Sequence, residues 1–248
     1  MSGDSPLIAL PESTRPLLEA ARAVLATPDL PPVVLIGGLA VTMRVSAAGA
    51  AHRATVDIDL VTVDAEPEAV EVLADAHATP KQSLIIGEVK VDVIATSPVT
   101  NEDLEGLDDQ SRLFVAAHRW AFEPGHLSRM TTTGSEPLDA LVAATASLVA
   151  TKCHAVGFPT SRRRATKLAS DLRDLFRLVQ LHNRGGDLSR ELREAPGGLG
   201  RIVADIAHHE VVANAVGVTK QMSGAAREEL EVDEVRVVIG DFVDELRG

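Results

Sequence analysis

Aromatic residues are nearly missing from this chain of 248 residues: they make up 2% of it, with five Phe, one Trp and no Tyr. A core must then come from Leu, Val, Ile and Ala, and binding of single-stranded nucleic acid on stacked aromatic platforms is argued against. There is one cysteine, Cys153, which excludes an internal disulfide framework and any multi-cysteine metal site. No apolar run is long enough to span a bilayer. The opening residues, Met1-Ser2-Gly3-Asp4, lack the basic and apolar regions of a signal peptide, so the expected compartment is the cytoplasm, with no membrane partner. Internal repeats and low-complexity segments are also absent. Positive charge is scarce, with 24 Lys and Arg against 36 Asp and Glu and a formal net charge of −12. That balance opposes nucleic-acid binding, which draws on phosphate neutralisation. The charge is uneven, however. Arg162, Arg163, Arg164, Lys167, Arg173 and Arg177 crowd one segment, whereas Glu228-Glu229, Glu231, Asp233, Glu234, Asp241, Asp244 and Glu245 make the C-terminus acidic.

What is present, 45% hydrophobic content, suffices for one sizeable core or two small ones. Leu17, Leu18, Ala21, Val24 and Leu25 recur at helical spacing over Ser13–Leu25, ahead of an apolar strand over Val33–Ile36. Pro67–His77 reads as a helix, with Pro67 in its first turn. Ser83–Ile86 and Glu88–Ala95 read as strands joined at Gly87, and Asn101–Asp109 as an acidic loop before a helix over Ser111–Phe122. Pro124-Gly125 breaks that helix. From Pro137 the pattern turns helical: Leu138–Val156, Arg162–His182, Ile202–Val216 and Glu228–Leu246, punctuated by Pro159, Asn183-Arg184-Gly185-Gly186 and Pro196-Gly197-Gly198. The expected fold class is α+β. An α/β domain over residues 1–133 precedes a helical domain over 134–248.

The chemistry concentrates in Arg53-Ala54-Thr55-Val56-Asp57-Ile58-Asp59-Leu60-Val61. Strand side chains alternate, so Arg53, Thr55, Asp57 and Asp59 share one face and Val56, Ile58 and Leu60 the other. Same-face neighbours lie roughly 6.5–7 Å apart at Cα, so both carboxylates can converge on one divalent cation or on a pair. Adjacent negative charges are costly without a cation between them. Upstream, Pro32 to Arg44 reads as a buried strand, a turn at Gly37-Gly38 and a helix, whose exposed first amides attract phosphate oxygens.

A phosphate-cradling turn followed by a D-x-D strand is the arrangement of nucleotidyltransferases related to DNA polymerase β. Within that superfamily, Gly37-Gly38 with Arg53-x-Thr55-x-Asp57-Ile58-Asp59 closely resembles the AbiEii/MenT toxins of bacterial toxin–antitoxin systems. Lys152 and Asp171-Leu172-Arg173-Asp174-Leu175 are similar to that family's two C-terminal motifs, with Ser170 standing where a basic residue is usual. The resemblance covers roughly Val33 to Leu181, four motifs in order. It implies a polymerase β-like core with a mixed sheet, followed by a helical domain that contributes Lys152 and Asp171 to the active-site cleft. It also implies nucleotide binding by Gly37, Gly38, Arg53 and Lys152, and Mg²⁺ or Mn²⁺ on Asp57 and Asp59. Asp92 matches the third carboxylate of the wider superfamily, as a metal ligand or as the base for the attacking hydroxyl. The implied activity is transfer of NMP from CTP or another NTP to the 3′ end of tRNA. The basic cluster of Arg162, Arg163, Arg164 and Lys167, which could also be a solvated helix start, is the expected contact for the acceptor end. Translation would stop for want of aminoacylation, and an antitoxin protein would be the partner.

Plainer readings stand beside these. Asp57 and Asp59 could face solvent, Gly37-Gly38 could serve only a tight turn, Arg53 could orient Asp57, and Lys152 with Asp171 could be an interhelical ion pair. His208-His209-Glu210 point in different directions on a helix, Cys153-His154 lacks a third triad member, and Gly198-Leu199-Gly200 lacks the strand of a dinucleotide fingerprint. Rival functions are nucleotidyl transfer to a small molecule or protein, a D-x-D glycosyltransferase, and a catalytically silent nucleotide- or partner-binding module.

Overall fold

The computed structural model describes residues 6–51, 55–123, 125–159, 165–226 and 229–248. Two compact units emerge: residues 1–98 with 121–144, and residues 99–120 with 145–248.

The first unit is built on one mixed sheet of seven strands. In chain order these are β1 (Leu7–Ala9), β2 (Val33–Ile36), β3 (Asp57–Val63), β4 (Ile85–Ile86), β5 (Val89–Thr96), β6 (His126–Thr131) and β7 (Leu138–Val142), arranged β1-β6-β7-β2-β3-β5-β4. The central β2 is buried at every position, as its unbroken Val-Val-Leu-Ile run requires. It pairs antiparallel with β3, which runs parallel to β5 in the register Asp57↔Lys90, Ile58↔Val91, Asp59↔Asp92. That register divides the sheet's two faces. Leu35, Ile58, Leu60 and Val91 are buried on one, and Asp57, Asp59 and Asp92 lie on the other.

Helix α1 (Arg15–Leu25) packs Leu17, Leu18, Ala20, Ala21 and Val24 inward. Helix α2 (Gly37–Ala47) starts directly at the diglycine and is pinned to the sheet. The Arg44 guanidinium donates to the carbonyls of Val142 and Ala143 at 3.2 and 2.6 Å. Helix α3 (Ala69–Ala76) follows β3.

The second unit is helical: α4 (Asn101–Glu105), α5 (Asp109–Phe122, to Trp120 in this unit), α6 (Thr145–Gly157), α7 (Ala165–His182), α8 (Asp187–Glu194), α9 (Leu199–Ile206), α10 (Ala215–Ala226) and α11 (Val232–Arg247). Phe176 and Phe242 are among its largest fully buried side chains, surrounded by aliphatic residues in the core that low aromatic content demanded.

Four expectations are corrected. Leu138–Val156 is not one helix: Leu138–Val142 forms β7, with burial alternating residue by residue, and α6 begins at Thr145. Pairing with β6 and β2 overrides the helical preference of this alanine-rich stretch. The sheet therefore continues past residue 133. The acidic segment after Thr100 is helix α4 rather than loop, because Thr100 and Asp103 form a reciprocal capping box. Of Ser83–Ile86, two residues, Ile85 and Ile86, form strand β4. The helix expected over Ile202–Val216 changes character, with π-helical turns over Ala207–Val212 between α9 and α10.

Candidate functional site

Strand alternation puts Asp57 and Asp59 on one face of β3, and parallel pairing sets Asp92 of β5 directly beside Asp59. One carboxylate oxygen from each of Asp57, Asp59 and Asp92 lies within 4.8 Å of the others, and all three residues are half-buried. Among the described residues this is the one group of three or more His, Cys, Asp or Glu side chains close enough to share an ion. Hard carboxylate oxygens without nitrogen or sulfur suit a hard divalent cation.

The diglycine is fitted to this strand. Gly37 sits at φ +64°, and a Cβ there would lie 1.8 Å from Asp59 Oδ2. A Cβ on Gly38 would lie 2.4 Å from Thr55 Oγ1. Neither position tolerates a side chain without displacing a residue of the D-x-D segment. Thr55 is itself buried, and its hydroxyl donates to Asp57 Oδ1 at 3.1 Å. The first amides of an eleven-residue helix thus start beside the carboxylate cluster, where an anion's oxygens can be received.

Lys90 is part of the same patch, a role its sequence position did not announce. Its Nζ donates to Asp92 Oδ2 at 2.6 Å and lies 2.6 Å from Oδ1. The hydrogen bond to Asp92 and the fields of Asp92, Asp57 and Asp59 outweigh burial and raise its pKa above the ordinary lysine value. Its signal in the sequence was the i, i+2 spacing to Asp92 on an alternating strand; its position opposite Asp57 is set by pairing.

Lys152, Asp171 and Asp174 come together in the helical unit. Lys152 Nζ lies 2.8 Å from Asp171 Oδ1 and 2.7 Å from Asp174 Oδ2, with side-chain exposures of 6%, 2% and 0%. Burial lowers the lysine's pKa, but the charges of Asp174 and Asp171 and hydrogen bonds to both outweigh it and raise it overall. Asp171 and Asp174 share the buried side of α7 with Leu172, Leu175 and Phe176, and Lys152 with Asp171 forms the ion pair that was one reading of the sequence. Lys167 is half-buried near the start of the same helix. Arg53, Arg162, Arg163 and Arg164 lie outside the described residues.

Cys153 is fully buried and its thiol is pushed up to about 12 by desolvation, which disfavours the thiolate. His208 and His209 stand edge to face, ring centroids 5.5 Å apart, on the π-helical turns. Among the described residues, no helix is long and apolar enough to cross a membrane. No protein-family model matches the chain, and no curated protein matches it either.

Proposed function

We propose that this chain is a Mg²⁺-dependent nucleotidyltransferase with a polymerase β-like core. It acts as the toxin of a toxin–antitoxin system and moves a nucleoside monophosphate from an NTP to the 3′ end of tRNA. The observation that carries the reading is the carboxylate trio of Asp57, Asp59 and Asp92 beside the diglycine start of α2. Three acids on paired strands favour a cation among them, and a helix start next to them offers amides to the anion that such a cation attracts.

Asp57 and Asp59 would hold the ion, with Asp92 completing the set or taking the proton of the acceptor hydroxyl. Bound there, Mg²⁺ neutralises the triphosphate and stabilises the attacking and leaving oxygens. The amides at Gly37 and Gly38 receive phosphate oxygens, while Thr55 orients Asp57 by its hydrogen bond. The acceptor's 3′ oxygen bonds to the α-phosphorus, the bond from that phosphorus to the β-phosphate oxygen breaks, and pyrophosphate leaves.

Purified protein incubated with labelled NTPs, Mg²⁺ and total tRNA gives label in RNA, and Asp59→Ala abolishes it. Absence of label with every NTP, from folded protein, refutes the tRNA claim. Transfer to a small hydroxylated molecule or to a protein is the second reading, favoured by the net charge of −12. Label on those acceptors in place of RNA decides for it.

A further inference from the structure

Lys90 belongs to the carboxylate patch by construction. Alternation along β5 puts Lys90 and Asp92 on the same face, and the register sets Lys90 opposite Asp57 and Asp92 opposite Asp59. The four residues make a two-by-two block of three acids and one base. The ammonium does not hang over its neighbour Asp57. It straddles Asp92, 2.6 Å from each carboxylate oxygen, and so covers both atoms with which Asp92 would ligate a cation.

Resting on the metal-site reading above, we infer that Lys90 is a resident counter-cation that a divalent ion displaces from Asp92, and that the freed ammonium then neutralises the phosphates of the bound nucleotide. Two facts make the exchange feasible. The side chains of Lys90 and Asp92 are 55% and 43% exposed, and an ion pair so open to water contributes little that must be given up. The lysine's charge sits on a flexible four-carbon stem, so it can swing aside without moving the strand. A divalent ion on Asp92 and an ammonium on the same two oxygens repel each other, so binding of one disfavours the other. Once displaced, the ammonium remains tethered on β5 opposite Asp57, on the strand whose Asp59 and preceding Thr55 meet the diglycine. The lysine offsets one of the three acid charges before the metal arrives, and part of the triphosphate's charge after it.

The test is Mn²⁺ binding to the full chain, followed by electron paramagnetic resonance, and then CTP binding in the presence of saturating Mn²⁺. Removing the unit charge in Lys90→Met raises Mn²⁺ affinity roughly five- to tenfold without nucleotide, the size expected for one charge facing a divalent ion across several ångströms of wet surface. In the same variant CTP affinity falls, whereas Lys90→Arg stays near the wild type in both measurements. An Mn²⁺ affinity in Lys90→Met equal to or below that of the wild type overturns the inference, as does unchanged CTP affinity. Asp59→Asn separates the two levels. If it weakens Mn²⁺ binding while Lys90→Met changes nothing, the metal site stands and the exchange is refuted. If Asp59→Asn binds Mn²⁺ as the wild type does, the metal-site reading falls and takes this inference with it.

Discussion

Replacing Gly37 with alanine tests whether the diglycine exists for the carboxylates. Two costs are predicted. At φ +64° an L-residue is in left-handed territory, worth about 1–2 kcal/mol. The new methyl would also fall 1.8 Å from Asp59 Oδ2, so the carboxylate must retreat by more than 1 Å to regain a 3.0 Å approach. Overpacking of this kind adds about 1–3 kcal/mol. Gly49→Ala isolates the first cost, since Gly49 has φ +77° and nothing within 4 Å of its would-be Cβ. At about 2–4 °C per kcal/mol for a chain of this size, Gly49→Ala lowers Tm by about 2–8 °C and Gly37→Ala by about 4–20 °C. The difference between the two variants measures the clash with Asp59 alone. Because the clash moves a ligand, Gly37→Ala also weakens Mn²⁺ binding by about 10–100-fold, as displacement of a metal's supporting shell does. Gly49→Ala leaves it unchanged. Calorimetry and Mn²⁺ titration on both variants check this. Equal Tm losses together with wild-type Mn²⁺ affinity in Gly37→Ala would refute the fit between the helix start and Asp59.

Three further predictions follow from buried groups. Lys152→Met removes the ammonium that lies against both Asp171 and Asp174 and costs about 3–5 kcal/mol in urea unfolding, whereas replacing all three by apolar residues of similar size recovers most of it. Wild-type stability in Lys152→Met would show that the triad does not support the fold. His118 is buried with its Nδ1 2.7 Å from the Phe114 carbonyl, and desolvation lowers its pKa below the ordinary 6.5 against the opposing pull of that carbonyl. The unfolded chain then binds more protons just below pH 6.5, so Tm falls as pH drops through that window and is steady above it. His118→Gln flattens this dependence, and an unaltered slope in that variant contradicts the assignment. Cys153, with its thiol pushed up to about 12 and no exposed surface, stays unmodified by thiol reagents in the native state and reacts on unfolding. Rapid labelling of native protein would contradict its burial.

Local patterns made much of the first unit legible. Strand β2 could be read from an unbroken apolar run, β3 from the alternation of Asp57-Ile58-Asp59-Leu60, and the start of α2 from Gly37-Gly38, because each depends on neighbours in the chain. The candidate site was readable for the same reason: Asp57 and Asp59 share a face by backbone geometry alone. Asp92 could be named from its strand, yet its place beside Asp59 depends on a register across more than thirty residues. Lys90 went unassigned because a lysine two positions from an acid becomes significant when another strand supplies more acids. Segment Leu138–Val142 looked helical because alanine and leucine favour helices, and strand pairing with β6 and β2 decided otherwise. Asp171 could be matched with Lys152 from the sequence, but the burial of both, and the second pairing of Lys152 with Asp174, depend on how α6 and α7 pack. Periodicity tells which residues share a face. Which face meets water, and which distant charge it meets, is settled by packing between segments that are remote along the chain.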